Sequence, residues 1–224
     1  MKAIYVGLLL VALSGCGGGG GGSAPAASPV AAATFPLASA VSAFGQTSHQ
    51  YNLSSVSGAD TYTVQFSFTP GAQSTFQGQL ASTMVESLIL SKNGAVVSTT
   101  SGTSYFVNSP YTPLGYVSNT GVTEVASGQQ TVATSATAGQ SGPLDNITVY
   151  AGAPGTAVVA TVAEVWSLEA ITATTAWGCF NGSEVFTNGS PTVGIASCYA
   201  VDTSGNVSAL KVTLAVNGQS MTFQ

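Results

Sequence analysis

Charge is the scarcest feature of this 224-residue chain. There is no arginine, the basic residues are Lys2, Lys92 and Lys211, and charged residues make up 5% of the sequence. An ordinary soluble domain carries roughly 25%. With 3 cations against 8 acids, almost nothing is available to neutralise phosphates, which excludes nucleic acid as a partner. The shortage does not imply disorder, because 45% of the residues are hydrophobic and the mean hydropathy is +0.37, the reverse of a chain kept open by charge. Histidine occurs once, as His49, and there is no C-x-x-C spacing to build a metal or redox site with it. A G-x-S-x-G elbow, an H-E-x-x-H helix and an Asp-rich calcium loop are also missing, so no motif asks for a cofactor.

What the chain does have begins at its N-terminus. Met1 and Lys2 precede the apolar run Ala3 to Leu13, and Ser14, Gly15 and Cys16 follow. One cation, a short apolar stretch and small residues form the pattern of an export signal. The run is shorter than the roughly 20 residues that a membrane-spanning helix needs.

Leu13-Ser14-Gly15-Cys16 resembles the lipobox of bacterial lipoproteins: an aliphatic residue, a small residue, Gly or Ala, and Cys. The resemblance implies that residues 1–15 are removed, that Cys16 becomes the acylated first residue, and that the acyl chains are the chain's membrane partner. Several acyl chains together anchor stably, at about 0.8 kcal/mol per buried methylene. Position 17 is Gly where an Asp would favour retention in the inner membrane, so the resemblance implies the outer membrane. Gly17 to Gly22 and the Ala, Ser and Pro mixture after them read as a tether. The assignment runs from 16 to 44, with a single domain over 45–224. The glycine run has neither a preceding strand nor a following Lys-Ser or Lys-Thr, so it is no phosphate loop. In this arrangement the chain resembles proteobacterial outer-membrane lipoproteins with a glycine tether, a likeness that supplies no activity.

With Cys16 acylated, Cys179 and Cys198 remain, and in an oxidising periplasm they are expected to form a disulfide worth roughly 3 kcal/mol.

The body reads as antiparallel β. Thr61 to Thr69 alternates polar and apolar, setting Tyr62, Val64, Phe66 and Phe68 on one face. Further β-branched runs fall near 84–91, 95–100, 104–108, 121–125, 129–136, 146–150, 158–171, 197–201, 207–216 and 220–223. Asn93-Gly94 and Asn217-Gly218 fit tight hairpin turns, and Asp202 to Asn206 a longer one. No window has helical periodicity. The expected fold is an all-β antiparallel sandwich or meander barrel. Two similar halves are suggested by Met84, Glu86, Leu88 and Leu90, which match Val162, Glu164, Trp166 and Leu168 at a constant offset of 78.

Glu86 and Glu164 share the apolar faces of their strands, where a carboxyl is costly unless paired, hydrogen-bonded or protonated. Two reaching one another inside the fold would be the arrangement of a glycoside hydrolase. The simpler reading places each at a rim or against hydroxyls. Tyr105, Tyr111 and Tyr116, in a stretch with Phe106, Pro110 and Pro113, suit contact with a glycan or protein. They equally suit a long loop packed over the open end of the core. His49 reads as a surface histidine at the junction of tether and domain. The functional expectation is a lipid-anchored, non-catalytic β domain in an envelope-structural or partner-binding role. The alternatives are a small-ligand or glycan-binding barrel and a hydrolase using Glu86 and Glu164.

Overall fold

The computed structural model describes residues 33–128 and 131–224, so the proposed signal, Cys16 and the glycine run lie outside the described residues. The elements are β1 (Thr34–Phe35), α1 (Leu37–Phe44), β2 (His49–Ser57), β3 (Asp60–Phe76), β4 (Gln79–Lys92), β5 (Ala95–Asn108) and β6 (Tyr111–Ser118). They continue as β7 (Thr123–Ala126), β8 (Ala136–Thr137), β9 (Ser141–Tyr150), β10 (Val158–Ala170), β11 (Thr175–Phe186), β12 (Val193–Asp202), β13 (Val207–Val216) and β14 (Gln219–Phe223).

Twelve strands form one sheet in chain order from β2 to β14, with β8 set apart to pair with β1. Each adjacent pair in the sheet is antiparallel. At the two ends of the sheet the Ser54 and Gln224 amides donate to one another's carbonyls, at 3.1 and 3.2 Å. The sheet is thereby nearly closed into a barrel, which decides between the two expected all-β architectures. The expected Asn-Gly turns are present with positive φ at both residues, 50° and 81° at Asn93-Gly94 and 52° and 75° at Asn217-Gly218.

Alternation decides what faces inward. Tyr62, Val64, Phe66 and Phe68 are buried, while Thr61, Thr63 and Thr69 between and beyond them are exposed. Eight strands make a barrel just wide enough for its own side chains to fill. Twelve leave more room, and the chain fills it with itself. Phe35 and Leu37, Val41 and Phe44 of α1, with Val132 and Ala136 of the β7–β9 connection, join one core with the inward residues of strands from β2 round to β14. The two inserted segments also bond to each other, through β1–β8 pairing and through Ala38 N–H donating to the Ala133 carbonyl at 3.1 Å.

This corrects the assignment of 16–44 as tether. Residues 34–44 belong to the domain and plug its lumen, and the body starts near residue 34 rather than 45. Four large apolar side chains at 35, 37, 41 and 44 are diluted by Ala and Ser, and eight residues are too few for helical periodicity to stand out.

Three further expectations change. The aromatic and proline stretch 105–116 is a hairpin of β5 and β6, not a loop. Pro113 sits at the register shift between Tyr105 and Phe106, a bulge where a missing N–H is tolerated. Of the run 129–136, the described residues 131–136 supply only the start of β8. Strand β11, interrupted by Gly178 and Gly182, lies in none of the expected β runs. The offset of 78 joins β4 to β10, which lie five antiparallel steps apart in the sheet and run in opposite directions.

The β3–β4 hairpin extends beyond the wall and bends at the register shift between Gly71 and Ser74. Its tip lays Phe76 on the outer face of the neighbouring hairpin, stacked on Tyr105 with ring centroids 4.5 Å apart. The Phe76 ring and the Glu124 carbonyl both press on Gly115, where a Cβ would collide with each. Gly115→Ala is therefore expected to cost about 1–3 kcal/mol as overpacking. Thermal unfolding should register this as a fall in Tm on the order of 5 °C.

Candidate functional site

Cys179 on β11 and Cys198 on β12 face each other directly, with a Cα separation of 4.0 Å and their sulfurs at bonding distance. The expected pairing is therefore present. Beside it on the outer face, the Lys211 ammonium sits over the Trp177 ring at 4.9 Å. Phe180 points the other way, into the core.

His49 opens β2 rather than lying on the surface of a linker. Its ring stacks on Phe44 at 4.0 Å, and Nε2 lies 2.6 Å from Thr47 Oγ1 and 3.2 Å from the Phe44 carbonyl. Burial lowers its pKa. The residue fastens the plug helix to the first wall strand.

The three tyrosines do not form one surface. Tyr105 lies on the outer face under Phe76. Tyr111 and Tyr116 are buried inside at 3% exposure each. There they meet the acids. Glu86 and Glu164 are 1% and 2% exposed, and Ser104 Oγ donates to Glu86 Oε1. Tyr111 feels both carboxyls, and burial with those two neighbours pushes its pKa well above the usual range. Tyr116 is raised by burial and by Glu86 and Glu124. Its hydroxyl lies over Gly102, the residue opposite Glu86 across β4 and β5, and has no hydrogen-bond partner among the described residues. Burial likewise raises Tyr199, with Glu86 again contributing.

The structure thus brings Glu86 and Glu164 to a shared neighbour, Tyr111, although they start on distant strands. It also adds acids that sequence reasoning did not single out. Glu124 stands opposite Tyr116, and Asp145 directly opposite Glu164. Glu184, on β11, is inward too, and burial raises its pKa. Their signal was available in parity: Glu124 and Glu184 fall on inward positions of their strands. Asp145 follows Leu144 at a bulge, which breaks the alternation.

Chemically, the cluster joins carboxyls to phenols and a serine hydroxyl in a buried interior. Hydrolysis would need substrate and water at the carboxyls, and both Glu86 and Glu164 are buried. Beside α1, between Leu37, Val41, Trp166 and Tyr199, there is a cavity of about 10 Å³, at the threshold for one water molecule. Among the described residues, no group of His, Cys, Asp and Glu is arranged to hold a metal ion, and no helix is long and apolar enough to cross a membrane.

No protein-family model matches the chain, and no curated protein or solved structure matches it either.

Proposed function

We propose that this chain is a lipid-anchored outer-membrane lipoprotein whose plugged barrel serves a non-catalytic role, as an envelope-structural element or a partner-binding domain. The observation that carries this reading is the self-filled lumen. Phe35, Leu37, Val41 and Phe44 occupy the space in which a ligand-binding barrel of this width would hold its ligand. The carboxyls that a hydrolase would use are buried behind them.

The outer surface supports the same reading. An integral membrane barrel turns an apolar band outward and polar residues inward. On β3 the order is reversed, with Thr61, Thr63, Gln65, Ser67 and Thr69 outward and aromatic residues inward, a face of hydroxyls and amides that suits contact with water, while Val85, Val97, Val165 and Val185 are exposed on other strands. The segment before Thr34 would link the domain to the acylated Cys16.

Growth with a labelled fatty acid tests the anchor. Wild-type protein should carry the label and fractionate with the outer membrane, while Cys16→Ser should carry none. Equal labelling of the two forms would refute the anchor.

A further inference from the structure

Gly178 and Phe180 of β11 face the lumen, where Phe180 joins the core and a Cβ on Gly178 would meet Leu37 of α1. Cys179 between them therefore points outward, as does Cys198 beside the core residue Tyr199 on β12. The disulfide is a rung on the outside of the wall, between strands whose ladder continues past it in both directions, from Thr175 opposite Asp202 to Glu184 opposite Val193. An outward position on this wall is not in itself sheltered, since Val185 on the same face of β11 is 51% exposed. Yet Cys179 and Cys198 are only 1% and 3% exposed, so other side chains on the outer face cover them.

The placement of Lys211 accounts for the cover. It starts directly opposite Cys198 on β13. Its ammonium ends over the Trp177 ring on β11, at 4.9 Å, and 3.8 Å from Glu169 on β10. The side chain thus leaves β13, crosses β12 and reaches β11 and β10, passing the disulfide on the way. Trp177 lies two residues before Cys179 and shares its face. On the other flank Ser167, opposite Cys179 on β10, accepts a hydrogen bond from Asn181 Nδ2 at 3.1 Å. The far end of this strap is lightly held. The Glu169 side chain is 58% exposed, a setting in which an ion pair contributes little, and the cation over the indole is the main remaining contact.

We propose that the Cys179–Cys198 disulfide is a gated thiol-exchange site on the outer wall, shut by the Lys211 side chain laid on Trp177 and opened to a dithiol reductant when that side chain lifts. In the exchange a thiolate of the dithiol attacks one cysteine sulfur. A mixed disulfide forms, the Cys179–Cys198 bond breaks, and the other cysteine leaves as a thiolate. The second thiol of the reductant then attacks its own half of the mixed disulfide, closes a ring and releases the first cysteine. The dithiol loses two electrons and its two protons, and the protein gains two electrons and two thiols. Because the β11–β12 ladder runs on both sides of the pair, the strands stay paired after reduction.

The test is reduction of the folded protein by dithiothreitol, comparing wild type with Lys211→Ala, with chemical denaturation of both measured alongside. Contacts as light as those of the strap hold a side chain by on the order of tenfold. Lys211→Ala should therefore be reduced about tenfold faster than wild type under native conditions. An equal or slower rate overturns the gate, and so does an acceleration no larger than the variant's own rise in unfolding constant, which would route reduction through the unfolded chain. Should Lys211→Ala not fold, the wild-type protein decides. Reduction at a rate independent of denaturant below the unfolding transition marks a local opening and supports the site. Reduction whose rate follows global unfolding refutes it.

Discussion

Replacing Phe44 with Ala is expected to remove about 3–5 kcal/mol of stability, a large part of the 5–15 kcal/mol that holds a typical domain. The ring is 2% exposed. It meets Phe68 and Tyr199 edge-on, with centroids at 5.2 and 5.1 Å, and stacks on His49 at 4.0 Å. Truncation leaves a cavity between opposite walls that the strands, tied to their neighbours by backbone bonds, cannot close. Ser42→Ala on the same helix is the control. It loses hydrogen bonds to the Asn108 carbonyl and Oδ1, at 3.0 and 2.8 Å, and should cost only about 1 kcal/mol. Chemical denaturation of the three proteins gives the comparison. If residues 34–44 were a tether, Phe44→Ala would be silent.

The second large effect is expected in alkali. Tyr111, Tyr116 and Tyr199 are buried at 3%, 3% and 2% exposure, and burial and the neighbouring Glu86 hold all three pKa values above the usual range. An unfolded chain releases these protons near pH 10. Stability is thus complete below pH 10 and falls above it, at about 1.4 kcal/mol per pH unit for each tyrosine, roughly 4 for the three together. Phenolate absorbance followed with far-ultraviolet circular dichroism tests this. Exposed tyrosines should titrate smoothly, and these three should appear only with the loss of β structure, in one step. Ionisation of all tyrosines before the sheet melts would contradict the burial.

Much of the wall was legible in the sequence. The period of two across Thr61 to Thr69 named the inward residues, parity placed Glu86 and Glu164 inside, and the two Asn-Gly pairs marked their turns. These features are local, set by pleat and turn stereochemistry. What was missed depends on distant parts of the chain. Leu37, Val41 and Phe44 find a purpose only in a lumen too wide for its own side chains, and that width follows from the strand number. Strand β11 is held by two long partners and a disulfide rather than by propensity. Tyr105 and Tyr116 look alike in the sequence, but a bulge beside Pro113 and a hairpin folded back from β3 and β4 put them on opposite faces. The candidate site was half legible for the same reason. Parity names inward acids, but only the closed sheet brings Glu86 and Glu164 to one tyrosine.

The plugged lumen underlies the functional reading, the stability predictions and the buried acids alike. Amide hydrogen exchange over residues 37–44 in the native protein tests it most directly. The account predicts protection in α1, including the Gly45 amide that donates to the Val41 carbonyl at 3.1 Å, comparable to that of the central strands β3 and β4. Exchange of these amides at the rate of an unstructured tether, with the barrel strands still protected, would contradict it.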